Sequence, residues 1–534
     1  MSELIPKLRH FHGGLKLPPD KEASTRDPVL TMPVPARLVV PLRQHIGEAA
    51  EACVKAGDAV EKGQVIGRCD TYVGAAVHAP TSGYVAEVAD HPVPHPSGLS
   101  APCVVIETDG RDHWGDSRLP PVEDYLNADP SDLRNCIREA GIVGLGGAAF
   151  PAAVKITPRP GQALDCLVIN GSECEPFITC DDMLMRTRAR EVIEGVRILM
   201  QAVQPRRCLI GIEDHMTAAI GAMRQALGGE EADGIRIVPI PSQYPAGGER
   251  QLIQVLTGRE VPSQGLPADI GMVCQNVGTA AAIYRAVALG EPLISRIVTV
   301  AGRGVNHPRN LEVLIGTPFS DLIAAAGGYS AQVARLIMGG PMMGFAMPSD
   351  EVPVVKATNC ILAATDEDVA PPGPVMPCIR CGECTRVCPA QLLPQQLYWY
   401  ARAKDFDKTQ DYNLFDCIEC GCCAYVCPSN IPLVQYYRYA KTEIWAQERE
   451  RRKADIARER HEFRQQRLEQ EEREKAERMA RKKAALAARN GEDGDDPKKA
   501  AIQAALERAK ARKAAEEPEQ MSTGKTQEDK EPSG

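Results

Sequence analysis

Cys378–Pro389 reads CIRCGECTRVCP and Cys417–Pro428 reads CIECGCCAYVCP, the same C-x2-C-x2-C-x3-C-P run twice. Three thiolates on one tight loop can cap one face of a four-iron cube, while the fourth, set before a helix-breaking proline, points away to the other cube. On that rule one [4Fe–4S] cluster takes Cys378, Cys381, Cys384 and Cys427, and a second takes Cys417, Cys420, Cys423 and Cys388, with Cys422 left over. Four-thiolate zinc is the competing reading, but zinc sites use two separated Cys pairs rather than two tandem four-Cys runs. Cubanes carry single electrons, so this segment reads as an electron relay.

These runs hold nine of the nineteen cysteines; the other ten scatter between Cys53 and Cys360. A chain of 534 residues is too long for one core and predicts three or four domains. The formal charge of −9 argues against nucleic acid as a partner. Hydrophobic residues at 44% and charged residues at 25% are ordinary for a globular protein. No uncharged apolar run reaches membrane-spanning length, and MSELIPKLRHFHGG lacks the apolar stretch of a signal peptide. The expectation is a chain that neither spans a membrane nor is exported, in which cysteines bind metal rather than form disulfides.

After the second run, residues 441–534 hold 24 basic and 22 acidic side chains, with Phe463 the only aromatic after Trp445. Ala, Glu, Lys, Arg and Gln favour helix, but apolar positions are too sparse for a buried stripe. The reading is a solvated charged helix ending near Asn490, a break at GEDGDDP, and a helical or disordered remainder.

Before the first run the chain changes character several times. Residues 1–40 are rich in Pro and Gly and read as an irregular arm, in which His10 and His12 are ordinary arm residues rather than ligands. Between 41 and 115, VKAGDAVEKGQVIGRCD and VHAPTSGYVAEV alternate valines with tight-turn residues, which is hairpin chemistry. Over 129–290, apolar runs (DCLVIN, RCLIGI, GIRIVPI) alternate with helical segments such as DDMLMRTRAREVIEGVRILMQAV, predicting a layered α/β domain with its ligand at the strand ends. Residues 291–350 follow as a shorter unit of two strands and a Thr-Pro helix start, and 368–440 holds the cysteine runs.

Within the α/β part, GIVGLGGAAFPAAVK (Gly141–Lys155) places glycines before a helix, where backbone N–H groups can approach a phosphate or a flat ring closely. Three further segments accompany it: INGSECEP (Ile169–Pro176), YPAGGER (Tyr244–Arg250) and CQNVGTAAAIYRA (Cys274–Ala286). Cys166, Cys174 and Cys180 lie near these segments and read as free thiols. Neither G-x-S-x-G nor H-E-x-x-H occurs, so hydrolase chemistry has no motif here.

Several family resemblances follow. Residues 41–115 resemble a biotinyl/lipoyl-type barrel, yet the hairpin-tip segment Cys69–Val77 has no lysine to carry a swinging arm. Residues 291–350 resemble the soluble-ligand-binding β-grasp module, and 368–440 a two-cluster ferredoxin. The glycine-rich segments in their order resemble the FMN- and NADH-binding subunit of respiratory NADH:quinone oxidoreductase, which carries one cluster motif where this chain has two. Barrel, flavin segments and ferredoxin repeat together, over roughly residues 1–440, resemble the C subunits of Rnf (Rsx) ion-translocating electron transport complexes.

That resemblance implies a multidomain α/β protein holding FMN and two [4Fe–4S] clusters. It would move electrons between NADH and ferredoxin or flavodoxin, in a translocase complex moving Na⁺ or H⁺. It further implies a peripheral position on the cytoplasmic face of the bacterial inner membrane, beside membrane subunits and a ferredoxin-like iron–sulfur subunit. By position, Gly144, Gly146, Gly147 and Lys155 match the flavin-cradling loop, and Asn170, Glu173 and Glu175 the acidic strand end of the flavin and nicotinamide pocket. Gly247, Gly248 and Glu249 match the next glycine turn, and Asn276 with Thr279 a phosphate-binding turn. The chain departs from the respiratory motif at Leu145 (for arginine), Ala149 (glycine), Ser172 (aspartate) and Gly248 (glutamate). These losses of polar contacts favour a second reading, an electron relay without NADH activity of its own; a third is an assembly scaffold whose tail and β-grasp unit dock the membrane subunits.

Overall fold

The computed structural model describes residues 8–157, 161, 163–330, 332–371, 373–491 and 497–514. Residues 492–496 of the expected break, the segment 515–534 and residues 1–7 lie outside the described residues. Two units emerge, one up to Ile444 and one from Trp445 onward.

The first unit begins with the arm, which pairs with later parts of the chain. Leu15 exchanges backbone hydrogen bonds with Tyr244, and Leu30–Thr31 forms a parallel edge strand against Leu311–Glu312. The barrel starts at Arg37, four residues before the expected boundary, because Leu38 and Val40 are buried partners of Ile106 and Val104. Its sheets are a four-stranded one (Arg37–Pro41, Ser100–Thr108, Gly83–Pro92, Ala59–Val60) and a three-stranded one (Glu51–Ala52, Val65–Arg68, Val77–His78). Alternate valines and isoleucines of these strands share one core.

The α/β part is built on a five-stranded sheet. The strands Cys166–Gly171, Arg207–Glu213 and Ile235–Ile240 run outward in parallel from the middle, and Met272–Asn276 returns to the other side of the first. This reversal opens a crevice between the carboxyl ends of Cys166–Gly171 and Met272–Asn276, the position where such sheets bind ligands. Asn170 and Asn276 are register partners at that point.

The β-grasp module is larger than the 291–350 expected. Its six-stranded sheet runs Leu30–Thr31, Arg309–Leu314, Ser295–Ala301, Cys360–Ala364, Arg335–Met338, Phe345–Met347. Cys360–Ala364 is buried at every residue and pairs with the strands on both sides. A short continuous apolar run of this kind is what a central strand needs, so the module closes only at Ala364. Glu312 joins the module to the α/β domain, accepting hydrogen bonds from Arg188 and Arg285.

Those guanidinium groups outweigh the effect of burial and bring Glu312 down to about 2. The folded value lies below the unfolded one, so the stabilisation is complete above about pH 4.5 and lost as pH falls toward 2. Glu312→Gln should therefore cost on the order of 3 kcal/mol at pH 7 and progressively less below pH 4. Urea unfolding at a series of pH values checks this; a cost that does not shrink in acid would reject it.

The cysteine domain packs short helices, Glu383–Arg386, Pro394–Ala403, Phe406–Asp411 and Cys422–Tyr425, around Leu397, Leu414, Leu433, Val434 and Tyr437. The sequence repeat is also a backbone repeat: Arg380, Gly382 and Gln391 have positive φ, and so do Glu419, Gly421 and Asn430. A long helix, Leu433–Gly491, leaves this domain and enters the second unit, where its residues from Gln447 to Arg489 are exposed. A further helix covers Pro497–Ala514. Among the described residues no helix is long and apolar enough to cross a membrane.

Candidate cofactor site

At the crevice between the two asparagine-ended strands lies a cavity of about 550 Å³, within the range of small-molecule and cofactor pockets. Nine of the twelve pocket residues expected from sequence line it: Gly146, Gly147, Asn170, Glu173, Glu175, Gly247, Gly248, Glu249 and Asn276. The strand Cys166–Gly171 delivers the acids, and the turn before the helix Glu249–Thr257 delivers the glycines. Asn276 caps the helix Val277–Leu289, its Oδ1 accepting from Gly278 and Thr279 N–H, while its Nδ2 donates to Asp181 at 2.6 Å.

The other three stand behind the wall. Gly144 N–H closes the loop on Phe150 O at 2.8 Å. Thr279 is fully buried, its hydroxyl accepting from Leu145 N–H at 3.0 Å. Lys155 Nζ lies 3.0 Å from Glu249 Oε1. Ala149, where the resembling motif has glycine, is held at φ +48°, a left-handed conformation that glycine adopts without strain. Gly248, where that motif has glutamate, has Gln251 Oε1 only 2.4 Å from where a Cβ would sit.

The acidic wall joins Glu173 and Glu175, expected from the sequence, to Asp181, which gave no signal there. Glu175 is fixed by Met342 N–H and Met343 N–H of the β-grasp module, at 3.1 and 2.8 Å. Burial pushes it up to about 7 against the pull of those two donors. Burial also pushes Glu173 and Asp181 up, while Lys21 of the arm opposes this in both. Lys21 Nζ donates to the Glu173 and Ile178 carbonyls, and nothing in the arm's composition marked it. In the segment Gly339–Gly344, a Cβ on Gly340 would fall 2.2 Å from Glu175 Oε2, so glycine there leaves room for that carboxylate.

Flavin fits this cavity. Gly147, at φ +102°, has open space where a Cβ would be, so the loop backbone can lie directly against a flat ligand. Gln251 Oε1, buried in the wall, has no hydrogen-bond partner and can accept from a ring N–H.

The cysteines fall into two groups. Cys378, Cys381, Cys384 and Cys427 line a cavity of about 410 Å³, and Cys388, Cys417, Cys420 and Cys423 line another whose wall includes Ile418 and the leftover Cys422. Each group mixes thiols of both runs, as the crossed rule requires. Among the described residues only Glu173, Cys180 and Asp181 form a trio with ligand atoms all within 4.8 Å of one another, so no three sulfurs of either group do. The second group lies nearer the flavin cavity: Ile418 lines both cavities, and Tyr244, in the flavin wall, donates its hydroxyl to Cys420 O at 2.6 Å. His12 is not idle, its Nδ1 lying 3.0 Å from Cys388 O.

Comparison with known proteins places these parts in families. Residues 9–111 match an RnfC barrel sandwich hybrid domain, 137–285 a Nuo51 FMN-binding domain, 297–346 an SLBB domain, and 377–431 a 4Fe-4S dicluster domain. Among curated relatives, three are each described as the C subunit of an ion-translocating oxidoreductase complex. The one from Pseudomonas aeruginosa is 52% identical over 95% of this chain and 66% of its own length. That from Erwinia tasmaniensis is 48% identical over 87% and 57%, and that from Serratia proteamaculans 46% over 95% and 70%. The chain thus spans about two thirds or less of the length of most such relatives. Two solved structures of an NAD+-reducing [NiFe]-hydrogenase, H2-reduced and air-oxidized, share 18% and 19% identity at TM-scores of 0.42 and 0.40. They cover 61% of this chain and 63% and 62% of theirs, a likeness too distant to argue from.

Proposed function

This chain belongs to the family of ion-translocating oxidoreductase complex C subunits, and from that premise we propose that it is the electron-entry subunit of such a complex, oxidising NADH at a bound FMN and passing electrons through two [4Fe–4S] clusters. The observation that carries the proposal is the wall common to the flavin cavity and the second cysteine group, formed by Ile418 and braced by Tyr244. A hydride donor delivers two electrons together and a cubane takes one, which is the conversion a flavin supplies when bound.

The chain's own residues serve that exchange by position. Gly147 leaves the backbone free to approach the ring and phosphate, and Gln251 offers the acceptor. Glu175, held by two N–H groups, fixes one wall of the pocket where a nicotinamide would lie. Ile418 keeps water out of the boundary between the cavities, and the Tyr244 bond fixes the loop that carries Cys420. On this reading Cys388, Cys417, Cys420 and Cys423 hold the cluster nearer the flavin. Cys378, Cys381, Cys384 and Cys427 hold the one from which electrons leave, and Cys381 is exposed there. The partners proposed are membrane subunits of the complex, a ferredoxin-like iron–sulfur subunit, and ferredoxin or flavodoxin, with the chain on the cytoplasmic face of the bacterial inner membrane.

The test is anaerobic. The protein reconstituted with iron, sulfide and FMN is mixed with NADH, and flavin bleaching is followed beside the cluster EPR. Bleaching with reduced-cubane signals is the expected result. Clusters that dithionite reduces but NADH leaves untouched would overturn the entry-point reading in favour of a plain relay.

A further inference from the structure

The loop that forms one wall of the flavin cavity is gripped from outside its own domain. It starts at Gly141, whose φ of +64° and whose missing Cβ, which would lie 2.3 Å from Ala76 O, let the α/β domain touch the barrel. At that contact sits Lys356, a fully buried lysine from the segment before the last β-grasp strand. Its Nζ donates to Ala76 O at 2.7 Å and to Gly141 O at 2.6 Å, and its N–H is held by Gln44 Oε1 at 3.0 Å. A second buried cation, Arg296 of the strand Ser295–Ala301, donates to Leu145 O at 3.2 Å and to the carbonyl of Lys356 itself. Leu145 is thus pinned at both backbone atoms, by Arg296 at its carbonyl and by Thr279 at its N–H.

We propose that Lys356 and Arg296 are positioning residues for the flavin: the β-grasp module uses them to clamp the loop Gly141–Phe150 by its carbonyls in the shape that receives the cofactor. The inference rests on the FMN reading above. Two features argue for a positional rather than merely stabilising role. An ammonium buried among carbonyls, with no carboxylate partner among the described residues, is an expensive way to hold three domains together, and apolar packing of similar volume would give as much stability. The two bonds that reach the loop, from Lys356 to Gly141 O and from Arg296 to Leu145 O, end on its backbone, so they define where its N–H groups point without depending on loop side chains. Burial brings Lys356 down to about 7, and its ammonium and neutral amine alike have hydrogens for both carbonyls.

The test compares the full-length wild type with Lys356→Met and Lys356→Arg. Hydrogen exchange on the ligand-free chain is read first, followed by FMN affinity from flavin fluorescence. In Lys356→Met, exchange should accelerate in 141–150, stay unchanged in the strands Cys166–Gly171 and Met272–Asn276, and FMN affinity should fall by roughly tenfold while thermal stability holds. Lys356→Arg, with donors for both carbonyls, should recover part of the affinity. Wild-type loop exchange and FMN affinity in a folded Lys356→Met protein would overturn the clamp. If that variant does not accumulate, Lys356→Gln, which keeps a donor but cannot reach both carbonyls, is read by the same criteria. A wild type that binds no FMN would refute the cofactor reading, and the exchange comparison would still decide the clamp by itself.

Discussion

Cys420→Ser is expected to halve the bound iron and to leave the surviving cluster beyond the reach of NADH. Cys420 belongs to the group that shares Ile418 with the flavin cavity, and its backbone carbonyl is the atom that Tyr244 holds. Serine offers a harder oxygen in place of a soft thiolate, and loss of one of four ligands on a tight loop leaves that cube without its cap. The matching change in the other group, Cys381→Ser, should also halve the iron, but with the opposite consequence. NADH would still reduce the remaining cluster, because the cavity lined by Cys378, Cys381, Cys384 and Cys427 has no lining residue in common with the flavin cavity. Iron analysis with EPR after NADH and after dithionite separates the two. If Cys420→Ser kept full NADH reduction of its remaining cluster and Cys381→Ser lost it, the order of the relay would be reversed.

Gly195→Val is expected to destabilise the α/β domain severely. Gly195 lies in the helix Ala189–Val203 where it crosses Val277–Leu289, and a Cβ there would fall 1.8 Å from the carbonyl oxygen of Ala280. The obstacle is backbone, so no rotamer relieves it and the helices must separate. Overpacking of this severity costs about 3 kcal/mol or more. The helix Val277–Leu289 starts from its cap Asn276, which lines the cavity, so the wall should move with it and flavin affinity should fall in whatever protein still folds. Gly221, in the helix Thr217–Leu227, is the control: nothing lies within 4 Å of its missing Cβ, and Gly221→Ala should stabilise by up to about 1 kcal/mol. Thermal melts of both variants check the pair; a Gly195→Val protein that melts like the wild type would show that the crossing is not as tight as described.

The sequence alone was enough for whatever depends on ligands and glycines close together in the chain. Both cysteine runs state their chemistry through spacing, because a loop of a dozen residues is the whole device. The crossed grouping also follows from spacing, since the fourth thiol before a proline cannot turn back on its own cube. Gly146, Gly147, Gly247 and Gly248 were legible through the resemblance of their segments to a flavin-binding family, and of these Gly147 has the left-handed backbone that glycine permits.

Tertiary structure decided the rest, and always through partners far apart in the chain. That Thr279 braces the loop from behind rather than lining the cavity depends on Leu145, 134 residues earlier. The end of the β-grasp module at Ala364 depends on strand pairing of Cys360–Ala364 with Ser295–Ala301. Lys21, Lys356 and Arg296 left no trace in composition or periodicity, because a buried cation is placed by the carbonyls it satisfies. Those carbonyls come together only when the barrel, the α/β domain and the β-grasp module close on one another.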